Sequence, residues 1–213
     1  MPARSPIKLA VLVSGNGSNL QAIIDQIEAG KLKAKIACVI SNNPEAFALT
    51  RAAQHGLPTV ILENRLFKIR KEYDEALVGI LKDHGVELII LAGFMRILSD
   101  VMVEAFPHSI INIHPALLPS FPGLHAQKQA LDYGVKYSGC TVHLVDCGTD
   151  TGPIILQAVV PVDQNDTEEF LAERIQREEH RLLPAAINLF IEDSIVIEGR
   201  QVRIKEINLL TQL

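Results

Sequence analysis

In the run Ile110-Ile111-Asn112-Ile113-His114-Pro115, two polar side chains interrupt an apolar, strand-like stretch at positions i and i+2. Side chains two apart project from the same face of a strand. An amide and an imidazole therefore point the same way where Pro115 stops the strand. A hydrogen-bond donor beside a group that carries protons is what chemistry at a carbonyl needs.

Two more segments could serve such chemistry. Ser14-Gly15-Asn16-Gly17-Ser18-Asn19 lies between a strand-like and a helix-like run. Its glycines let the backbone approach a ligand, and a helix N-terminus presents free N–H groups to an anion. It reads either as a phosphate site or as a plain tight turn. A dinucleotide loop would carry a third glycine at position 20, where Leu20 stands, and no acid for a ribose ends the second strand at Ser41-Asn42-Asn43. The second segment, Asp146-Cys147-Gly148-Thr149-Asp150-Thr151-Gly152-Pro153, is a loop between strands. Asp150 is either a turn former or a carboxylate that orients a histidine and favours its charged form. His125 and His143 lie near these segments, while His55, His84, His108 and His180 fall on helices or turns. No Cys-x-x-Cys or His-x-x-x-His pair suggests a metal, and no Gly-x-Ser-x-Gly elbow suggests a serine hydrolase.

The elements that must hold these groups alternate strand and helix. Strands are expected at Ile7–Ser14, Lys35–Ser41, Thr59–Leu62, Val86–Ala92, Ser109–His114, Cys140–Asp146 and Ile154–Pro161. Helices are expected at Asn19–Ala29 with Ser18 as N-cap, Glu45–His55, Arg70–His84, Val101–Phe106, Leu124–Tyr133 and Thr167–Ile191, the last kinked or broken at Pro184. A hairpin is expected across Val196–Ile204, turning near Gly199. This order predicts an α/β fold, an open and mostly parallel sheet with helices on both faces. Ligands then bind at the carboxyl ends of strands. Ser14–Asn19, Ala92–Arg96, His114–Gly123 and Asp146–Gly152 are all expected there, lining one cleft.

Bulk properties narrow the class. The chain has 213 residues, 48% hydrophobic and 21% charged, enough for one large core. No apolar run reaches the ~20 residues of a membrane span, and the first residues do not read as a signal peptide. Cys38, Cys140 and Cys147 read as free thiols of a reducing cytoplasm. A net charge of -5 with no basic run speaks against a nucleic-acid partner.

Five motifs in one order carry a resemblance: Ser14-Gly-Asn-Gly-Ser-Asn-Leu-Gln-Ala-Ile-Ile24, Leu91-Ala-Gly-Phe-Met-Arg-Ile-Leu98, Asn112-Ile-His-Pro-Ala-Leu-Leu-Pro119, Pro122-Gly-Leu-His125 and Asp150-Thr-Gly-Pro-Ile-Ile155. From about Ile7 to Pro184 the chain resembles the phosphoribosylglycinamide formyltransferases, folate-dependent transferases of purine synthesis. The resemblance implies a Rossmann-like formyltransferase fold. It implies transfer of the formyl group of 10-formyltetrahydrofolate, as co-substrate, to the amine of glycinamide ribonucleotide, without a metal. The family's catalytic trio falls on Asn112, His114 and Asp150. Its ribonucleotide contacts fall on Gly17, Ser18, Asn19 and Glu179. Its folate contacts fall on Arg70, Met95, Arg96, Ile97, Leu98 and Asn112, and on the loop Asp146, Cys147, Gly148, Thr149 and Asp150. His125 and His143 match histidines near the family's site. Residues 1–213 are read as one such domain, with a ribonucleotide-binding half of about 1–100 and a folate-binding, catalytic half of about 86–190. Ala116, Ser120-Phe121 and Cys147 depart from the family's usual residues.

The expected partners are the two small-molecule substrates, with no nucleic acid and no membrane, in a cytoplasmic monomer or homodimer. Two rivals share or avoid the chemistry. Formyltetrahydrofolate hydrolases and methionyl-tRNA formyltransferases resemble the catalytic region, but each adds a domain for which this chain has no room. A non-catalytic nucleotide-binding α/β module leaves Asn112, His114 and Asp150 without a joint purpose.

Overall fold

A computed structural model describes residues 5–205. Among the described residues nine strands form one sheet: β1 (Ile7–Val13), β2 (Ala34–Ser41), β3 (Thr59–Ile61), β4 (Leu88–Leu91), β5 (Ile110–His114), β6 (Tyr137–Leu144), β7 (Ile154–Pro161), β8 (Ile195–Glu198) and β9 (Gln201–Ile204). Their order is β3-β2-β1-β4-β5-β6-β7-β9-β8. The first five run parallel; β6 is antiparallel to β5 and to β7. The expected hairpin forms as β8–β9 around Gly199, and β9 joins the sheet beside β7 through the pair Ile154–Gln201.

Alternation along β1 explains the two-sided core. Leu9, Val11 and Val13 pack with Ile23, Ile24, Leu183 and Ile187 on one face. Ala10 and Leu12 pack with Tyr73, Leu77, Leu81 and Met102 on the other. The first face is covered by α1 (Ser18–Glu28), α2 (Phe47–Gln54) and α6 (Glu168–Ile191), the second by α3 (Arg70–Asp83) and α4 (Asp100–Ala105). A further helix, α5 (Ala126–Tyr133), precedes β6 and packs on α6. All four residues of β4 are buried, as a central strand covered on both faces requires.

Several boundaries differ from expectation. β4 is shorter than Val86–Ala92 because its partners are short: β1 meets it over four residues and β5 over three. Ser18 is the first helical residue of α1, and the N-cap is Gly17 at φ 75°, a left-handed conformation that glycine adopts at little cost. The long helix α6 runs without a break through Pro184, with Thr167 accepting the Phe170 N–H as its cap. Leu183, Pro184, Ala186 and Ile187 are buried there, and that packing outweighs the one backbone hydrogen bond that proline cannot make.

Candidate functional site

Ile111 and Ile113 lie in one core and Ile110 in the other, so Asn112 and His114 share the α3–α4 face of β5. β6 then brings a third group. In the antiparallel register His143 stands opposite Asn112, and Thr141 opposite His114. The loop carrying Asp150 does not leave from the end of the sheet where β5 stops. Because β6 is antiparallel, its last residue, Leu144, pairs with Ile111 near the start of β5. The loop therefore folds back across the face, and Asp150, at φ 54°, reaches both residues. Gly152 allows this close return, since a Cβ there would lie 1.8 Å from the Leu144 carbonyl oxygen. The loop does follow a strand end, that of β6, as expected, but it leaves from the opposite end of the sheet to the loop after β5.

Asp150 gathers the cluster. Its Oδ2 lies 3.3 Å from His114 Nδ1 and accepts the Gly123 N–H at 2.8 Å. Its Oδ1 accepts from Asn112 Nδ2 at 3.3 Å and lies 3.6 Å from His143 Nε2. His114 Nε2 is 2.8 Å from the Phe121 carbonyl oxygen, which requires a proton on Nε2. His143 Nδ1 is 2.7 Å from the Leu144 carbonyl oxygen, so Nδ1 carries a proton, and Nε2, 3.1 Å from Asn112 Nδ2, accepts from that amide in the neutral ring. The loop 119–123 thus closes on the cluster through backbone groups alone.

Electrostatics differ from the expected balance. Burial pushes the His114 imidazole below its ordinary value, although the Phe121 carbonyl and Asp150 pull it up. For Asp150, burial works upward, but the His143 ring, the Gly123 N–H and the charge of His114 outweigh it and hold the carboxyl below its usual range. Asp150 thus exerts the expected pull toward the charged imidazole, but burial outweighs it and biases the ring toward its neutral form.

The glycine loop builds a second group. Arg51 clamps it by donating from Nε to the Asn16 carbonyl and from Nη2 to Asn16 Oδ1, both at 2.9 Å. Gln176 Nε2 donates to Ser18 Oγ at 3.0 Å, and Asn19 Nδ2 to the buried Glu179 Oε2 at 2.9 Å. Burial raises the Glu179 carboxyl above its ordinary value, with the Asn19 bond working against it. Gly17, Ser18, Asn19 and Glu179 thus meet where α1 packs on α6.

The third group follows β4. Met95 and Ile97 are exposed, at 66% and 50%, while Phe94 and Leu98 are buried. Arg96 lies over the Tyr73 ring at 4.1 Å. Ser14 ties this segment to the glycine loop: its N–H donates to the Gly93 carbonyl at 3.1 Å and its Oγ accepts the Met95 N–H at 2.8 Å. Arg70 is exposed at the start of α3. In the loop 146–150, Asp146 Oδ1 accepts from the Gly148 N–H and the Thr151 hydroxyl, and Cys147, Gly148 and Thr149 are exposed. His125 is the exposed, left-handed N-cap of α5 and makes no side-chain hydrogen bond among the described residues, so it is not joined to the cluster. The roles of the Phe121 carbonyl, the Gly123 N–H and the pairing of His143 were not legible in the residue pattern. Backbone groups leave no signature in a sequence, and cross-strand register is a tertiary fact.

Among the described residues no group of three or more His, Cys, Asp or Glu side chains is placed to hold a metal ion, and no helix is long and apolar enough to cross a membrane. A Rossmann-like sheet with an amide, an imidazole and a carboxylate converging above one strand defines an enzyme of the acyl-transfer class. Residues 7–187 match the family model described as formyl transferase. The chain is 44% identical over 186 residues to the phosphoribosylglycinamide formyltransferase of Escherichia coli K12, covering 87% of this chain and 88% of that one. It is 47% identical over 192 residues to the trifunctional purine biosynthetic protein adenosine-3 of Drosophila melanogaster, covering 89% of this chain but only 14% of that protein's length. The crystal structure of glycinamide ribonucleotide transformylase 1 from Symbiobacterium toebii superposes with a TM-score of 0.94 at 50% identity, over 96% of each chain. The chain belongs to the formyl transferase family.

Proposed function

We propose that the chain is a phosphoribosylglycinamide formyltransferase, moving the formyl group of 10-formyltetrahydrofolate to the amine of glycinamide ribonucleotide in purine synthesis. The observation that carries this reading is the convergence of Asn112, His114 and Asp150 on one face beside a glycine loop that ends in the Asn19–Glu179 pair.

Gly17, Ser18 and Asn19 hold the ribonucleotide phosphate at the N-terminus of α1, and Glu179 takes a ribonucleotide hydroxyl. The residues after β4 suit a folate: the exposed Met95 and Ile97 offer an apolar shelf for a flat ring, and the loop 146–150 offers polar backbone. The folate supplies the formyl carbon and takes up one proton at the nitrogen that departs. Asn112 turns one amide N–H from Asp150 to the formyl oxygen as negative charge gathers there. His114 receives the proton lost by the attacking amine, because burial keeps its ring biased toward the neutral form, and Asp150 stabilises the imidazolium so formed. The same proton then passes to the leaving nitrogen, so the site ends as it began. Apart from Glu179, the ribonucleotide is held in about 1–100 and the folate and the chemistry mainly in about 86–190, within a cytoplasmic protein that needs no nucleic acid.

The test is an absorbance assay of folate deformylation with and without glycinamide ribonucleotide. Deformylation that depends on the ribonucleotide supports the transferase; deformylation without it assigns the chain to hydrolysis instead.

A further inference from the structure

Asp74 is a fully buried carboxyl on α3 that takes no part in the site as described. Burying such a group is costly unless it does something. Its Oδ2 accepts the Ser99 N–H at 2.6 Å, while its Oδ1 has no hydrogen-bond partner among the described residues. Ser99 is the N-cap of α4, and its own side chain makes no cap bond. A helix of this kind often has its N-cap N–H satisfied by an acid or amide three residues on. Here that position is Met102, an apolar core residue. Asp74 supplies the missing acceptor from a different helix.

The bond closes a specific span. Segment 93–99 is tied at its start to Ser14, through the Gly93 carbonyl and the Met95 N–H. Its far end is tied to Asp74. Between them stand the exposed Met95 and Ile97, and Arg96 stacks on Tyr73, the neighbour of Asp74. Arg70 lies one helical turn before Asp74 on α3. We propose that Asp74 is a positioning residue for the folate site, setting the distance between Arg70 on α3 and the Met95–Ile97 shelf. This rests on the functional reading above.

The test is steady-state kinetics of Asp74→Ala and Asp74→Asn on the full chain. Asp74→Ala is expected to raise the KM for 10-formyltetrahydrofolate about tenfold, a loss of the order of one buried hydrogen bond. The KM for glycinamide ribonucleotide and kcat at saturating folate stay within about threefold. Asp74→Asn keeps an acceptor oxygen of the same reach and restores most of the folate affinity. An unchanged folate KM in Asp74→Ala, or an equal rise in both KM values, overturns the proposal. If Asp74→Ala fails to fold, Ser99→Pro removes the donor of the same bond and is held to the same outcomes. Wild-type protein without ribonucleotide-dependent deformylation would instead sink the functional reading, and the positioning role with it.

Discussion

His143 Nε2 lies 3.1 Å from the Asn112 amide nitrogen, directly across the β5–β6 pair. The Leu144 carbonyl accepts a hydrogen bond from His143 Nδ1, so in the neutral ring the facing Nε2 accepts from the amide. The donor end of the Asn112 amide faces the cluster, because the same Nδ2 also donates to Asp150 Oδ1 at 3.3 Å. His143→Phe removes the acceptor at similar size. It should lower kcat by roughly one to two orders of magnitude, matching the ~1–3 kcal/mol of an unpaired buried donor. Ligand affinities measured by titration should hardly move. A full-rate variant would show that Asn112 needs no such guide.

Asp150→Asn removes the charge that meets both His114 and Asn112. Turnover should fall by roughly 10²–10⁴, the range for a positioned acid–base group. Ribonucleotide binding, measured by calorimetry, should stay within about twofold because Glu179 and the glycine loop do not touch Asp150. Unchanged turnover would take Asp150 out of the mechanism.

The His114 ring should titrate below 6.5 in the free protein, read by NMR against a His114→Asn control. The sign follows from burial, which disfavours the charged ring. Stability linked to this group is then fully present above the unfolded value and is lost as pH falls below it. In Asp150→Asn the titration should move lower still, since one of the upward pulls is gone. A value above 6.5 would overturn the argument that burial dominates this ring.

Gly17 leaves no space for a side chain: a Cβ would stand 2.5 Å from the Ala48 Cβ and 2.9 Å from its Cα. Gly17→Ala also carries the left-handed penalty of about 1–2 kcal/mol. Ribonucleotide affinity should drop roughly tenfold with folate affinity retained, as separate binding titrations would read. Equal loss for both ligands would mean that the loop does not hold the phosphate.

Glu179 is buried with its carboxyl raised above 4.5, so its favourable contribution is full below that value and is lost as pH climbs through the raised one. Glu179→Gln can keep the oxygen that accepts from Asn19 and loses the cost of ionising. Its denaturation midpoint should therefore exceed that of the wild type by more at pH 8 than at pH 5, while ribonucleotide binding weakens. A gain that does not vary with pH would refute the assignment of the burial cost.

Much of this arrangement was readable from residue order alone. Apolar runs such as Leu88–Leu91 report a strand covered on both faces, and the i, i+2 spacing of Asn112 and His114 puts them on one face whatever surrounds them. These are properties of the local backbone period, and they survive folding. The five ordered motifs also pointed to the formyl transferase family and to Asp150 as a partner of His114. Other features depended on packing. Pro184 was expected to kink or break its helix; with Leu183, Ala186 and Ile187 buried around it, the helix does not break there. Ser18 was expected to cap α1, but the left-handed Gly17 took the position. Only the tertiary structure decided how Asp150 arrives, because an antiparallel β6 sends its loop back over the sheet. Only it paired His143 with Asn112, brought Phe121 and Gly123 to the cluster by their backbones, and biased His114 toward neutrality. Register, loop return and desolvation are set by groups far apart in the chain, and no local pattern of residue types records them.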